Sequence, residues 1–145
     1  MKEKDPYNLN RFINAQDPVY STVLQELGSG QKQTHWMWFI FPQVVGLGRS
    51  PTSQYYAIMS KAEAFAYLRH PVLGKRIREC TGILLQIEGQ TAREIFGRPD
   101  DMKLKSSMTL FTAMSEIETV FERVIEKYFD GELCERTLVF LDRSG

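Results

Sequence analysis

"THWMWFIFPQ", residues 34–43, holds both tryptophans of the chain, two phenylalanines, an isoleucine and a methionine between a histidine and a Pro-Gln pair. As a strand it is nearly all apolar and calls for burial on both faces. Such a strand needs partners on both edges, and the chain offers at most "TLVFL" at 137–141. A lone strand leaves backbone groups unsatisfied. As a membrane span it fails on length, because the apolar run from Trp36 to Phe41 is far short of roughly 20 residues. What remains is a short helical or irregular segment deep in the domain, capped by Thr34 and ending before Pro42. Trp36 and Trp38 are two apart and do not share a helix face. One indole is expected in the core and the other at the border of a cleft.

The flanking sequence is punctuated as helices. Asp5-Pro6 and Asp17-Pro18 each read as an N-cap followed by a first-turn proline. Tyr20, Val23, Leu24 and Leu27 form a helical stripe closed by Gly28 as a left-handed cap. Ser60 with Glu63, and Thr91 with Glu94, are capping boxes. Pro71 opens a long helix on which Leu73, Ile77, Cys80, Leu84 and Ile87 share a face, and Gly89 closes it. Gly97 stops the next helix. Asp100 or Asp101 caps another, with Leu104, Met108, Leu110 and Phe111 apolar. Ser115 caps a long helix bearing Ile117, Val120, Phe121, Val124, Ile125 and Phe129, and "CERTLVFLD" (134–142) is a short last element, helix or strand. The expectation is an all-α, single compact domain over 1–145, with about seven to eight short helices and little or no strand. The segment 43–52 is the longest irregular stretch, and long loops more often carry function.

A chain of 145 residues is one ordinary domain. At that length roughly 68–70% of the unfolded surface is buried, so neither a metal nor a disulfide is required. Eighteen basic residues balance eighteen acidic ones. Zero net charge argues against a general nucleic-acid binder, though not against a local basic site. The two cysteines, Cys80 and Cys134, are far apart and lack histidines at metal spacing, so they read as buried free thiols and no metal or cofactor is expected. The start, "MKEKDPYNLN", has no apolar signal region. A reducing cytoplasm is the expected compartment, with no membrane partner and no indication of oligomeric state.

Candidate chemistry falls on two stretches besides the aromatic one. "GLGRS" (46–50) lacks the third glycine and the strand of a dinucleotide fingerprint. It reads as an anion nest, in which Gly46 and Gly48 turn backbone N–H groups inward and Arg49 and Ser50 add charge-assisted bonds, or as a plain flexible turn. In "DDMKLKSSMTLF" (100–111), Asp100, Lys103 and Ser107 align at i, i+3 and i+7, placing a carboxylate, an ammonium and a hydroxyl on one face. Ser106 and Ser107 lack a hydrolase elbow and read as close packing or as bonding groups. His35 is either a satisfied structural residue or an acid–base group. His70 reads as a helix cap or turn residue. Tyr55 and Tyr56 divide between core and pocket lining.

The stretches "DPYNLNRFINAQDPVY" (5–20), "HWMWFIFPQ" (35–43), "GLGRS" (46–50), "AYLRHPVLGKRIREC" (66–80) and "IFGRPDDMKLKSSMTLF" (95–111) resemble the bacterial family catalogued as domain of unknown function 1810. The resemblance covers nearly the whole chain. It implies a predominantly helical single domain and no particular reaction. A "calpastatin" label carried by some members finds no support, because calpastatin is a disordered inhibitor and this composition is that of a compact fold. The family pattern falls on His35, Trp36, Trp38, Phe41, Pro42 and Gln43, on Gly46, Gly48 and Ser50, on His70, Pro71 and Gly74, and on Gly97, Asp100, Lys103, Leu104, Ser106 and Ser107.

The expected site is one small-molecule pocket. Its wall is Trp36 or Trp38, with Phe41 and Tyr55. Its polar end is His35, Gln43, Gly46, Gly48, Arg49, Ser50, Asp100, Lys103, Ser106 and Ser107. An aromatic wall with a cationic and hydroxyl end suits an anionic, nucleotide-like metabolite. If the protein is an enzyme, a hydrolase or transferase, His35 and Asp100 are the candidate acid–base pair. The rival expectation is an interaction module that takes a partner's apolar segment in a helical groove.

Overall fold

In a computed structural model the structure describes residues 4–143, so the outermost residues of the expected 1–145 domain lie outside the described residues. The described residues contain ten helices: α1 (Asn10–Gln16), α2 (Tyr20–Gly28), α3 (Met37–Ile40), α4 (Pro51–Tyr55), α5 (Lys61–Arg69), α6 (Leu73–Gln86), α7 (Ala92–Phe96), α8 (Asp100–Thr112), α9 (Val120–Phe129) and α10 (Glu135–Arg143). The fold is all-α as expected. The number is larger than seven to eight in part because α4, at the end of the stretch read as irregular, is helical and too short to show a periodic stripe. Strand pairing is limited, among the described residues, to one parallel bridge between Val44 and Ile58. It ties the loop after the aromatic stretch to the chain before α5.

Helix α8 is the axis of the fold. It packs on α5, α7, α9 and α10. Nine of its thirteen residues are buried, from Asp101 to Phe111, so it shows no one-sided stripe. Ser106, Ser107 and Thr109 are small enough to let the neighbouring helices approach. Thr109 Oγ1 donates back to the Lys105 carbonyl at 2.8 Å and accepts the Cys134 N–H at 3.0 Å, seating the start of α10. Helix α9 is one-sided, burying Phe121, Val124 and Ile125, and ends where Asp130 and Gly131 take left-handed conformations. Helix α6 packs on α5 through Gly74. A Cβ there would lie 2.1 Å from the Leu68 carbonyl oxygen.

The aromatic stretch is folded as a single helical turn. Trp36, Met37, Phe39, Ile40 and Phe41 are buried and Trp38 is half-buried. Trp36, Phe41 and Phe96 form a triangle with ring centres 6.2–6.3 Å apart. Thr34 does not cap α3. It is held, with its neighbours, by the carboxylate of Glu26. Glu26 Oε1 accepts the Gln33 N–H (2.8 Å), the Thr34 N–H (3.1 Å) and the Trp36 indole N–H (2.9 Å), and Oε2 accepts the Thr34 hydroxyl (2.8 Å). Burial raises the carboxyl's proton affinity, but these donors outweigh it and hold Glu26 down at about 2.

Several expected caps are placed differently. Asp5 does not begin a helix at Pro6. Its carboxylate reaches over a turn to accept the Leu9 and Asn10 N–H groups at the start of α1. Asp17 ends α1 rather than capping α2, and pairs with Arg76 at 2.9 Å. Gly28 stays helical, and Gly30 takes the left-handed conformation. No side chain caps α8, whose flanking residue is Pro99. Ile117 lies outside α9 and is 94% exposed, because that helix starts only at Val120. The Thr91–Glu94 box is fully formed. Ser60 accepts the Glu63 N–H, but the Glu63 carboxylate turns away to the Met59 N–H and to Arg11, giving half a box. His70 caps the turn into α6 through Nδ1, which accepts the Val72 and Leu73 N–H groups.

Candidate functional site

The N-terminal turn of α8 lies across the mouth of the aromatic segment, and two cavities open on either side of Lys103. The first, about 380 Å³, is walled by Trp38, Met37 and Phe96 and rimmed by Lys32, His35, Arg98, Asp100 and Lys103. The second, about 640 Å³, lies between the 47–53 loop, α8 and the start of α10. It carries Arg49, Lys105 and Arg136 beside Gln43, Ser50, Ser53, Ser106 and Cys134. Lys103 and Pro99 line both. A void of about 10 Å³ between Trp38, Phe41, Gln43, Tyr56 and Lys103 has room for about one water.

Of the residues expected at the site, His35, Trp38, Asp100 and Lys103 line the first cavity, and Gln43, Gly48, Arg49, Ser50, Lys103 and Ser106 line the second. The expected single pocket is therefore divided in two. Trp36 is 1% exposed and belongs to the core, which leaves Trp38 as the indole at the cleft. Phe41 is equally buried and reaches only the small void. Tyr55 points outward at 56% exposure, edge-on to Tyr56, and Tyr56 lines the void in its place. Ser107 is fully buried in α8, lines neither cavity, and its hydroxyl has no hydrogen-bond partner. Gly46 takes a left-handed conformation and accepts a hydrogen bond from Arg136 on its carbonyl (2.8 Å), facing a separate groove beside α10. Ser50 is engaged as the cap of α4, accepting the Ser53 N–H at 3.1 Å. Gly48 is pressed against Ser53, where a Cβ would stand 2.5 Å from the serine Cβ. The loop is thus a built turn whose Gly48, Arg49 and Ser50 line the second cavity.

The electrostatics of the first cavity centre on Asp100. One oxygen lies 2.8 Å from Lys32 Nζ and the other 3.6 Å from Lys103 Nζ. His35 is exposed and shares the cavity with Asp100, but no hydrogen bond joins them among the described residues. Each lysine also stands over an indole: Lys32 is 5.1 Å from the centre of Trp36 and Lys103 5.3 Å from that of Trp38. The Lys103 ammonium makes no hydrogen bond within 3.5 Å among the described residues.

Sequence reasoning missed Lys32, Arg98, Lys105, Cys134 and Arg136. Lys105 stands in the polar stretch singled out at 100–111 but is not among the residues expected at the site, and Lys32, Arg98 and Arg136 are isolated residues whose place comes from tertiary packing. Cys134 was expected to be buried and is instead half-buried at the edge of the second cavity. Burial works against its thiolate, but the Ser106 hydroxyl, 3.3 Å from Sγ, and the polar groups at the start of α10 favour it and hold the thiol below its ordinary range. A cysteine directly before a helix is a readable signal of this kind. The described residues contain no group of three or more His, Cys, Asp or Glu side chains placed to hold a metal. They also contain no helix long and apolar enough to cross a membrane.

A family model described as "Protein of unknown function (DUF1810)" matches residues 6–141, and the chain belongs to that family. Among solved structures it is similar to the conserved hypothetical protein Rv1873 from Mycobacterium tuberculosis. The two share 49% identity and a TM-score of 0.94, over 95% of this chain and 99% of the other. No curated protein matches.

Proposed function

We propose that the cavity between Lys32, Trp38 and Lys103 binds a small anionic metabolite with a planar ring, nucleotide-like in its chemistry. The observation that carries this reading is Lys103, a half-buried ammonium at the wall of both cavities whose nearest acceptor among the described residues is Asp100 at 3.6 Å. Lys103 has only a long contact to an Asp100 already engaged by Lys32. Three cations, Lys32, Arg98 and Lys103, face one carboxylate in a cavity of ligand size. An anion supplies what Lys103 lacks, and the Trp38 face offers a planar ring its stacking surface. The lysine–indole contact it displaces is worth about 0.5–2 kcal/mol at a half-buried site.

The test is calorimetric titration with AMP and with inorganic pyrophosphate, on the wild type and on Lys103→Ala and Trp38→Ala. AMP is expected to bind, with both variants losing affinity. Pyrophosphate is expected to depend on Lys103 alone. Absence of binding by both probes overturns the reading. It would favour the rival interaction module, for which the groove of about 450 Å³ flanked by exposed Val45 and Val139 is the supporting observation.

A further inference from the structure

We infer that the ligand does not end at Lys103 but passes it into the second cavity. It is a nucleotide conjugate: a nucleoside diphosphate joined to a second, partly apolar group. This inference rests on the reading of the first cavity given above and extends it.

Three observations point this way. First, the two cavities are not separate surfaces, because Lys103 and Pro99 wall both and the void between them is lined by Trp38, Gln43 and Lys103. Second, the charge is continuous. Arg49, Lys105 and Arg136 in the second cavity face Glu132 and Glu135, and the first cavity is also cation-rich. The sequence as a whole has no net charge, so this excess is local. Lys105 is largely buried, and its partner Glu132 is an exposed carboxylate at 2.7 Å, a contact that solvent weakens. Arg49 is exposed and has no side-chain partner among the described residues. Third, the second cavity is not purely polar. Leu47, Met102 and Leu133 line it, and the last two are exposed to solvent at 52% and 36%. A mononucleotide leaves these apolar walls, and Arg49, without a ligand contact. Two independent anions would compete for the one shared ammonium. A single bridging diphosphate places both its charges against Lys103 and carries its second group along α8. Ser106, one turn on, lies about 4.5 Å further along that axis.

The experiment is titration with AMP, ADP and dephospho-coenzyme A, which share the adenosine head and differ in the arm. Dephospho-coenzyme A is expected to bind at least about tenfold more tightly than ADP. Arg49→Glu and Leu133→Glu, both surface changes, are expected to remove that gain while leaving AMP affinity unchanged. If AMP binds through Trp38 and Lys103 but the longer probe gains nothing, the extension is wrong and the first cavity stands. The extension is equally wrong if both variants keep the gain. If no probe binds, the first-cavity reading fails and takes the extension with it.

Discussion

Lys103 holds its ammonium 5.3 Å above the centre of the Trp38 ring, at the wall shared by two cavities. Neither residue supports the core in the way Trp36 does. The Trp36 indole N–H is bonded to a buried carboxylate and its ring is enclosed by Phe41 and Phe96. Trp38 and Lys103 form the half-open counterpart. Their contact is weak enough for a ligand to displace, and the two residues sit on separate helices, α3 and α8.

Glu26 is expected to be a principal support of the segment that presents Trp38. Its carboxyl is held at about 2 against an ordinary 4.5. A depressed carboxyl contributes stability above its unfolded pKa and loses it as pH falls through the folded value. The contribution is up to about 3 kcal/mol at neutral pH, lost between roughly pH 4.5 and 2. Urea unfolding followed by tryptophan fluorescence should show Glu26→Gln less stable at pH 7 by about 2–3 kcal/mol, with the difference shrinking toward pH 2. A difference that stays constant with pH would contradict the assignment.

Arg11 and Glu63 form a buried pair at 2.6 Å that ties the N-terminal turn to α5. Arg11 also donates to the carbonyls of Tyr7, Asn8, Tyr55 and Ala57. Removing one partner of a buried pair costs about 3–5 kcal/mol, because the other charge is stranded. Glu63→Leu and Arg11→Met should each fall in that range in denaturant melts, and the double variant should be less destabilised than the sum. Additive losses would show that the two charges act independently.

The two thiols are expected to differ sharply. Cys80 is fully buried, and burial pushes its thiol up to about 12, whereas Cys134 is half-buried with its thiol held below the ordinary range. Iodoacetamide at pH 7.5 followed by peptide mapping should label Cys134 alone in the folded protein. Ser106→Ala, which removes one of the hydrogen bonds favouring the thiolate, should move the pH–rate curve upward. Labelling of Cys80 at a comparable rate would contradict this.

The fold was legible where one rule governed a stretch. The Thr91–Glu94 box appears as read, and so does the stripe Leu73, Ile77, Cys80, Leu84, though Ile87, read on the same face, lies just past the end of α6 in extended backbone. That Trp36 and Trp38 part company follows from their spacing, but which of them enters the core does not. The site was legible only in part, for a physical reason. Asp100 and Lys103 share a helix turn, which sequence shows, but Lys32 reaches Asp100 from a loop 68 positions earlier, which no local pattern encodes. Ser107 and Tyr55 were misplaced because helix register and loop direction depend on packing. Ser107 faces into the middle of the fold because α8 is enclosed on all sides, and Tyr55 is turned outward while Tyr56 packs on Phe12 and Phe39.

The most direct measurement is calorimetric titration of AMP into the wild-type protein and into Trp38→Ala and Lys103→Ala, with melting temperatures recorded in parallel. Saturable binding is expected. Each variant should lose at least about tenfold in affinity, or about 1.4 kcal/mol. Their unliganded melting temperatures should stay close to wild type, since neither side chain is fully buried. Binding unchanged by both variants, or no binding to the wild type, would contradict a ligand site at Lys103.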